Sequence, residues 1–400
     1  MMEQIASRIT LHSGDCLDIL PTLAECSIDS CVTDPPYGLS FMGRNWDHGV
    51  PGIPFWKEVY RVLKPGAHLV AFGGSRTYHR MACAIEDAGF EIRDSLMWIY
   101  GTGFPKSHDV SKGIDKAAGA EREVVGEKSS GLSAGTGTTV GKFTDSRNER
   151  GLVDITAPAT DAAREWQGWG TALKPAFEPI VLARKPLSES TVAANVLRWR
   201  TGALNIDGCR VETDEDRRRN ARGGENGLTG TGTFKIRERR AEEQPQTAGR
   251  WPANVCHDGS DEVVAAFPTT APGKKNNAPQ EQYRANNKNA VYGKSMGGGY
   301  HAGFDDQGNG SAVRFFYSAK ASKADRAGSK HPTVKPVSLM QWLCRLITPP
   351  GGTVLDPFAG SGTTGAAARN KGFNCILIER EAEYQQDIRN RFAGLPEAAE

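Results

Sequence analysis

Short apolar and β-branched runs punctuate the first hundred residues, at 9–12, 30–34, 68–73 and 95–100. Helical spacing of apolar positions fills the gaps at 55–63 and 76–88. Strand-length runs alternating with helix-length stretches predict a parallel sheet with helices on both faces. Lys64-Pro65-Gly66 predicts a turn ahead of the third strand. From about 105 to 170 the pattern collapses, and the Gly/Ser/Thr-rich stretch at 129–139 reads as a mobile loop. Phe177 to Ala183 restores a strand and 188–204 a helix. Residues 212–250 are charged and 271–310 are rich in Asn, Gly and Lys. A span this long without periodicity reads as a binding loop or as disorder. Order returns at Ala312 to Tyr317. Ser338 to Leu346 then predicts a helix with Leu339, Trp342, Leu343 and Leu346 on one face. Strands at 353–355 and 375–378 and helices at 363–371 and 381–392 follow, with no internal repeat along the chain.

Composition sharpens this picture only in places. Four hundred residues suffice for a large core, as one elaborated domain or two. Apolar content of 38% with 46 glycines fits a folded core carrying long polar loops. No apolar run approaches the roughly 18–20 residues of a membrane span, so no membrane partner is expected. The first residues lack the basic and apolar regions of a signal peptide, and the expected location is the cytoplasm. The eight cysteines form no Cys-x-x-Cys pair, and Cys209, Cys256 and His257 have no standard zinc spacing, so no metal is expected. Net charge is only +2, but residues 205–330 hold 20 Lys/Arg against 16 Asp/Glu, a local excess of +4 with the sign that suits nucleic acid.

Two strings carry the chemistry. Asp34-Pro35-Pro36-Tyr37 follows the apolar run at 30–33, and Asp356-Pro-Phe358-Ala-Gly360-Ser-Gly362-Thr-Thr follows the run at 353–355. In the first, the Asp34 carboxylate and the Pro35 carbonyl can each accept one N–H of an amino group, and Tyr37 offers an aromatic face. Two prolines stiffen the turn, so the acceptors are held in place beforehand. Gly360 and Gly362 permit a tight turn and close approach of a nucleotide-like ligand to the backbone. The turn lacks the Gly-Lys-Ser/Thr ending of a phosphate loop.

With these strings in this order, the chain resembles the DNA amino-methyltransferases of the adenine-N6/cytosine-N4 group. In particular it resembles the circularly permuted β class, in which the amine site precedes the cofactor turn, and orphan modification methylases of prophage type. His331-Pro-Thr333-Val-Lys335-Pro, Ile376-Leu-Ile-Glu379 and Ser13-Gly-Asp15-Cys fall where that class has further motifs. The resemblance covers about residues 9–105, 174–186 and 313–392. It implies a Rossmann-like α/β methyltransferase fold, a mostly parallel seven-stranded sheet in permuted order. Residues 1–204 would form the catalytic half with a loop insertion at about 106–170, 205–312 a target-recognition insertion, and 313–400 the cofactor half.

The same resemblance implies S-adenosylmethionine as cofactor, leaving S-adenosylhomocysteine, and no metal. Asp34, Pro35, Pro36 and Tyr37 would be catalytic. Asp356, Phe358, Gly360 and Gly362 would hold the cofactor, Glu379 its ribose, Asp15 its adenine side, and Thr333 and Lys335 its methionine carboxylate. Phe104 and Lys106, with Phe41 and Trp46, would lie near a flipped target base. Arg217, Arg218, Arg219, Arg237, Arg239 and Arg240 would meet the phosphates of double-stranded DNA, with Lys274 and Lys275. Trp166, Trp169 and Trp251 read as packing residues. The Asp form of the first motif implies adenine N6 as target, with cytosine N4 as the alternative and a non-catalytic DNA-binding module behind both. A homodimer is expected, and no obligatory nuclease partner.

Overall fold

The computed structural model describes residues 2–38, 49–101, 103, 107–128, 152–212, 249–270, 310–319, 322–329, 331 and 333–393. Ten strands build one large sheet: β1 Met2–Ala6, β2 Ile9–Ser13, β3 Ile28–Thr33, β4 Leu63–Phe72, β5 Glu91–Ile99, β6 Phe177–Arg184, β7 Val255–His257, β8 Tyr317–Ser318, β9 Thr353–Asp356 and β10 Asn374–Glu379. Their spatial order is β1-β2-β10-β9-β3-β4-β6-β5-β7-β8. From β2 to β4 every neighbouring pair is parallel. Strand β6 runs antiparallel to both β4 and β5. The two ends of the chain meet in the sheet, since β10 pairs in parallel with β2 from Cys375 opposite Ile9 to Glu379 opposite Ser13. This is the permuted wiring that the order of the motifs implies.

Five helices matter for the site: α1 Ile53–Val62, α2 Tyr78–Asp87, α3 Val337–Ile347, α4 Thr363–Asn370 and α5 Ala382–Phe392. A strand alternates its side chains between faces, and β4 divides accordingly. Val70 and Phe72 join a core with Leu339, Trp342, Leu343, Ala367 and Ile388 of α3, α4 and α5. Leu69 and Ala71 join a second core with Phe55, Trp56, Val59, Met81 and Ile85 of α1 and α2. Because helices cover both faces, all six residues of β3 are buried, polar ones included. Each fully buried Leu or Ile stabilises the fold by about 1.5–3 kcal/mol relative to exposure. The predicted face of α3 is the buried one, with Leu339, Trp342, Leu343 and Leu346 all at 5% exposure or less.

Several expectations need correction. Among the described residues the sheet has ten strands: β2 through β5 form the expected seven-stranded centre, and β1, β7 and β8 extend its edges. Lys64-Pro65-Gly66 lies inside β4, not ahead of it. Gly66 has φ +81°, and the β3–β4 register shifts between Ile28 and Ser30, so the expected turn is a kink within the strand. The helix expected over 188–204 is Val192–Trp199, stopped where Arg200 takes a left-handed φ of 65°. Residues 312–315 form a 3-10 turn before β8. The stretch 105–170 also holds helices at Val110–Ala117 and Asp161–Glu165 and a ribbon pairing 124–128 with 153–156. The buried Asp115 carboxylate ties these pieces together. It accepts from Arg122 at 2.5 Å, from the Ala159 and Thr160 N–H groups at 3.0 Å each, and from the Thr160 hydroxyl at 2.8 Å. Among the described residues no helix is long and apolar enough to cross a membrane.

Candidate active site

Strands β3 and β9 are parallel neighbours at the centre of the sheet, with Val354 opposite Ser30 and Leu355 opposite Cys31. The next helix after β3, α1, packs on one face; the helix after β9, α4, packs on the other. Ligands bind in the crevice that such a divergence opens beyond the carboxyl ends of the strands. Asp34 and Asp356 stand there, immediately after β3 and at the end of β9. The Thr33 hydroxyl donates to Asp356 Oδ1 at 2.8 Å and so joins the two strand ends.

A cleft of about 1160 Å³, its open mouth included, lies over these ends. It is lined by Asp34, Pro35, Pro36 and Tyr37 from the first motif, by Asp356, Phe358 and Gly360 from the second, and by Asp15, Thr333, Lys335 and Glu379. Sequence-distant residues are thus brought to one cavity. Gly362 is absent from this lining. It adopts φ +77° at the start of α4, and a Cβ there would come 3.1 Å from Ile388, so its role is to set the turn. Gly360 also has a left-handed φ, +52°. Gly365 allows close contact of α4 with β10, since a Cβ would come 2.7 Å from Leu377.

Both carboxylates of the glycine-turn side are buried and hydrogen-bonded. Glu379 Oε2 accepts from the Gly360 N–H at 2.7 Å, and Oε1 from the Glu381 N–H at 2.8 Å. Burial pushes its carboxyl up to about 7, against these two donors and with Asp356 and Glu381 adding to the rise. Burial likewise pushes Asp356 up to about 6, against hydrogen bonds from Thr364, Thr33 and the Phe358 N–H. A carboxyl with a folded-state value above its unfolded one binds its proton more tightly in the fold. Its contribution is therefore fully present below the unfolded value and lost as pH rises through the folded one. Glu379→Gln removes one such proton site. Urea denaturation should show the parent losing about 1–3 kcal/mol relative to this variant between acid and mildly alkaline pH. A stability difference independent of pH would contradict the shift.

On the Asp34 side the arrangement is ionic. Lys335 Nζ donates to Asp34 Oδ2 at 2.5 Å, and the Tyr37 hydroxyl donates to Asp34 Oδ1 at 2.6 Å. Glu178 Oε2 lies 3.2 Å from the same ammonium and 3.3 Å from the same hydroxyl. Burial alone would lower the Lys335 ammonium, but Asp34 and Glu178 hold it above the ordinary lysine value. Burial and the same two carboxylates raise the Tyr37 phenol well above its usual range. The Thr77 hydroxyl fixes the Tyr37 backbone, donating to its carbonyl at 2.7 Å.

Lys335, expected at a methionine carboxylate, is therefore engaged by Asp34 and Glu178. The segment leading into α3 puts the ammonium 4.8 Å from the Phe72 ring of β4. Thr333 is exposed beside His331, whose Nδ1 is 2.8 Å from the Thr333 carbonyl. Asp15 caps the short helix Cys16–Ile19 and lies 3.5 Å from Arg380. Glu178 was not among the expected site residues; an acid in the apolar run 177–183 was its only signal in the sequence. Phe41, Trp46, Phe104, Lys106, Arg217, Arg218, Arg219, Arg237, Arg239, Arg240, Lys274 and Lys275 lie outside the described residues. Trp166, Trp169 and Trp251 lie at the surface, at 40%, 60% and 65% exposure, where Trp166 and Trp169 pack edge to face at 5.0 Å and Arg210 lies 5.4 Å over the Trp251 ring.

A family model described as DNA methylase, of the N6/N4 class, matches residues 28–390. The chain belongs to this family. Type II methyltransferase M2.DpnII of Streptococcus pneumoniae is 42% identical over 69 residues, which are 17% of this chain and 26% of that protein. The methylase YubD of Escherichia coli K12 is 44% identical over 68 residues, 17% of this chain and 30% of that one. The chain thus spans under a third of the length of these curated relatives. Among solved structures, the M1.HpyAVI–SAM complex is 15% identical with a TM-score of 0.41, covering 96% of this chain and 99% of that one. The cytosine-N4-specific PvuII DNA methyltransferase is 16% identical with a TM-score of 0.42, covering 97% and 88%.

Proposed function

We propose that this chain transfers a methyl group from S-adenosylmethionine to adenine N6 in double-stranded DNA. The observation that carries the reading is one cleft lined both by Asp34 in its proline turn and by the Gly360 turn with Glu379. The residues fit the cofactor. Glu379 offers the ribose hydroxyls a buried carboxylate, Phe358 an aromatic face beside Phe55 at 4.9 Å, and the glycine turn a backbone without side chains in the way. Asp15 would hold the adenine side and Thr333 the methionine carboxylate.

Adenine N6 is a poor nucleophile because its lone pair is delocalised into the ring. Asp34 accepts one of its N–H groups and the Pro35 carbonyl the other, which draws the nitrogen toward tetrahedral geometry and localises the pair. Tyr37, held by Asp34 and Thr77, supplies a face for the base. When bound, the cofactor supplies a methyl on a positive sulfur, and the S–C electron pair stays with sulfur. The N6 pair forms the new N–C bond, and the surplus N–H proton leaves to solvent. Positioning and field are the protein's contribution, with no covalent intermediate. The base must leave the helix to reach Asp34, so flipping is part of the reading. The insertion at 205–312 supplies the recognition region, residues 1–204 the catalytic half and 313–400 the cofactor half.

Digestion of DNA after incubation with the chain and labelled cofactor tests the chemistry. Labelled N6-methyladenine is expected. N4-methylcytosine would keep the mechanism and move the target. The chain acts as a homodimer in the cytoplasm, without a nuclease partner; a purely monomeric species on sedimentation with DNA would overturn the dimer.

A further inference from the structure

Glu178 stands outside the cleft, yet it touches two residues that line it. It enters from β6, where Trp98 of β5 is its cross-strand partner. Its carboxylate lies 3.2 Å from Lys335 Nζ and accepts from the Tyr37 hydroxyl at 3.3 Å. The same two groups donate to Asp34 at 2.5 and 2.6 Å. Two carboxylates therefore share one ammonium and one phenol. The Lys335 side chain is only 7% exposed, so solvent screens the group weakly. Burial raises the Glu178 carboxyl above its ordinary value against the Lys335 ammonium, with Asp34 adding to the rise, so the charged state belongs to the alkaline side: with both carboxylates ionised and Lys335 protonated, the cluster carries one net negative charge. Asp34 and Lys335 alone would cancel.

We propose that Glu178 is a positioning residue that keeps the Asp34–Lys335 cluster at a net charge of about −1, so that the cleft prefers a cationic sulfonium to a neutral thioether. The inference rests on the reading of the cleft as an S-adenosylmethionine site. Its physical content is a choice between two ligands of nearly equal shape. The positive charge that sulfur gives up in transfer develops at the target amine, so the same field acts on the reacting groups. After transfer the neutral thioether has lost that attraction and leaves more readily.

Calorimetric titration of the full chain with S-adenosylmethionine and with S-adenosylhomocysteine, at mildly alkaline pH, tests this without turnover. Glu178→Gln should weaken the sulfonium about fivefold and leave the thioether within about twofold. Lys335→Met should shift the preference the other way, and the double variant Glu178→Gln with Lys335→Met should return the ratio to that of the parent. Glu178→Asp retains the charge and should retain the preference, which keeps the test decisive if Lys335→Met does not fold. Equal weakening of both ligands by Glu178→Gln, or no change in their ratio, would overturn the inference. A parent chain that binds neither compound would instead overturn the reading of the cleft.

Discussion

Asp34→Ala should reduce methyl transfer by about 10³-fold or more, far beyond the roughly fivefold loss of S-adenosylmethionine affinity expected from removing one negative charge from the cluster. Asp34 follows β3, and the glycine turn follows β9, so the two motifs occupy different walls of the cleft. Removing the carboxylate deletes an acceptor for the target amine and none of the contacts of Gly360 or Glu379. The fold should tolerate the loss, because Lys335 retains Glu178 at 3.2 Å and Tyr37 retains the same carboxylate at 3.3 Å. A stability cost of about 1–3 kcal/mol is expected from the hydrogen bonds removed. Single-turnover kinetics beside calorimetric cofactor binding separate the two effects. Near-normal turnover would remove Asp34 from the catalytic role.

Gly360→Asp should do the opposite and weaken cofactor binding by about 10²-fold, with turnover failing as a consequence. Gly360 sits at φ +52°, where a side chain costs about 1 kcal/mol. A Cβ there would lie 3.4 Å from His331 Nε2, and the added carboxylate would enter the cleft. The Gly360 N–H already donates to Glu379 at 2.7 Å, so the new charge would stand beside an existing acid. Desolvated like charges repel strongly, and the ribose hydroxyls would compete for the same space. Calorimetry checks this directly. Unchanged affinity would place the cofactor elsewhere. The two variants together separate the walls of the cleft, one failing in chemistry and the other in binding.

Much of the centre of this protein was legible because its signals are local. Asp34-Pro35-Pro36-Tyr37 and the Gly360 turn are strings whose backbone demands are readable, and β3, β4 and β9 are buried on both sides and so read as apolar runs. The pairing of β10 with β2 followed from the order of the motifs. What escaped depends on distant contacts. Glu178 acquires its significance only when β6 inserts between β4 and β5 and points its carboxylate at Lys335. Lys335 itself reads as a ligand-facing cation until Asp34 is seen 2.5 Å away. Strands β7 and β8 are three and two residues long, too short for periodicity to show. The folded part of the first insertion is held by the Asp115–Arg122 pair and its neighbours more than by any apolar pattern. Gly66 illustrates a subtler miss. Pro and Gly normally end a strand, yet here Gly66 permits a kink that β4 passes through, against Asn195 packed so closely that a Cβ would meet its amide.

Asp34 and the Gly360 turn are proposed to act together in methylating an adenine amino group. Single-molecule sequencing of DNA from a methylation-free host that expresses this chain, beside a host that expresses Asp34→Ala, tests it most directly. N6-methyladenine at one recurrent motif is expected with the parent chain and none with the variant. Unmodified DNA from both hosts, or equal modification in both, would contradict it.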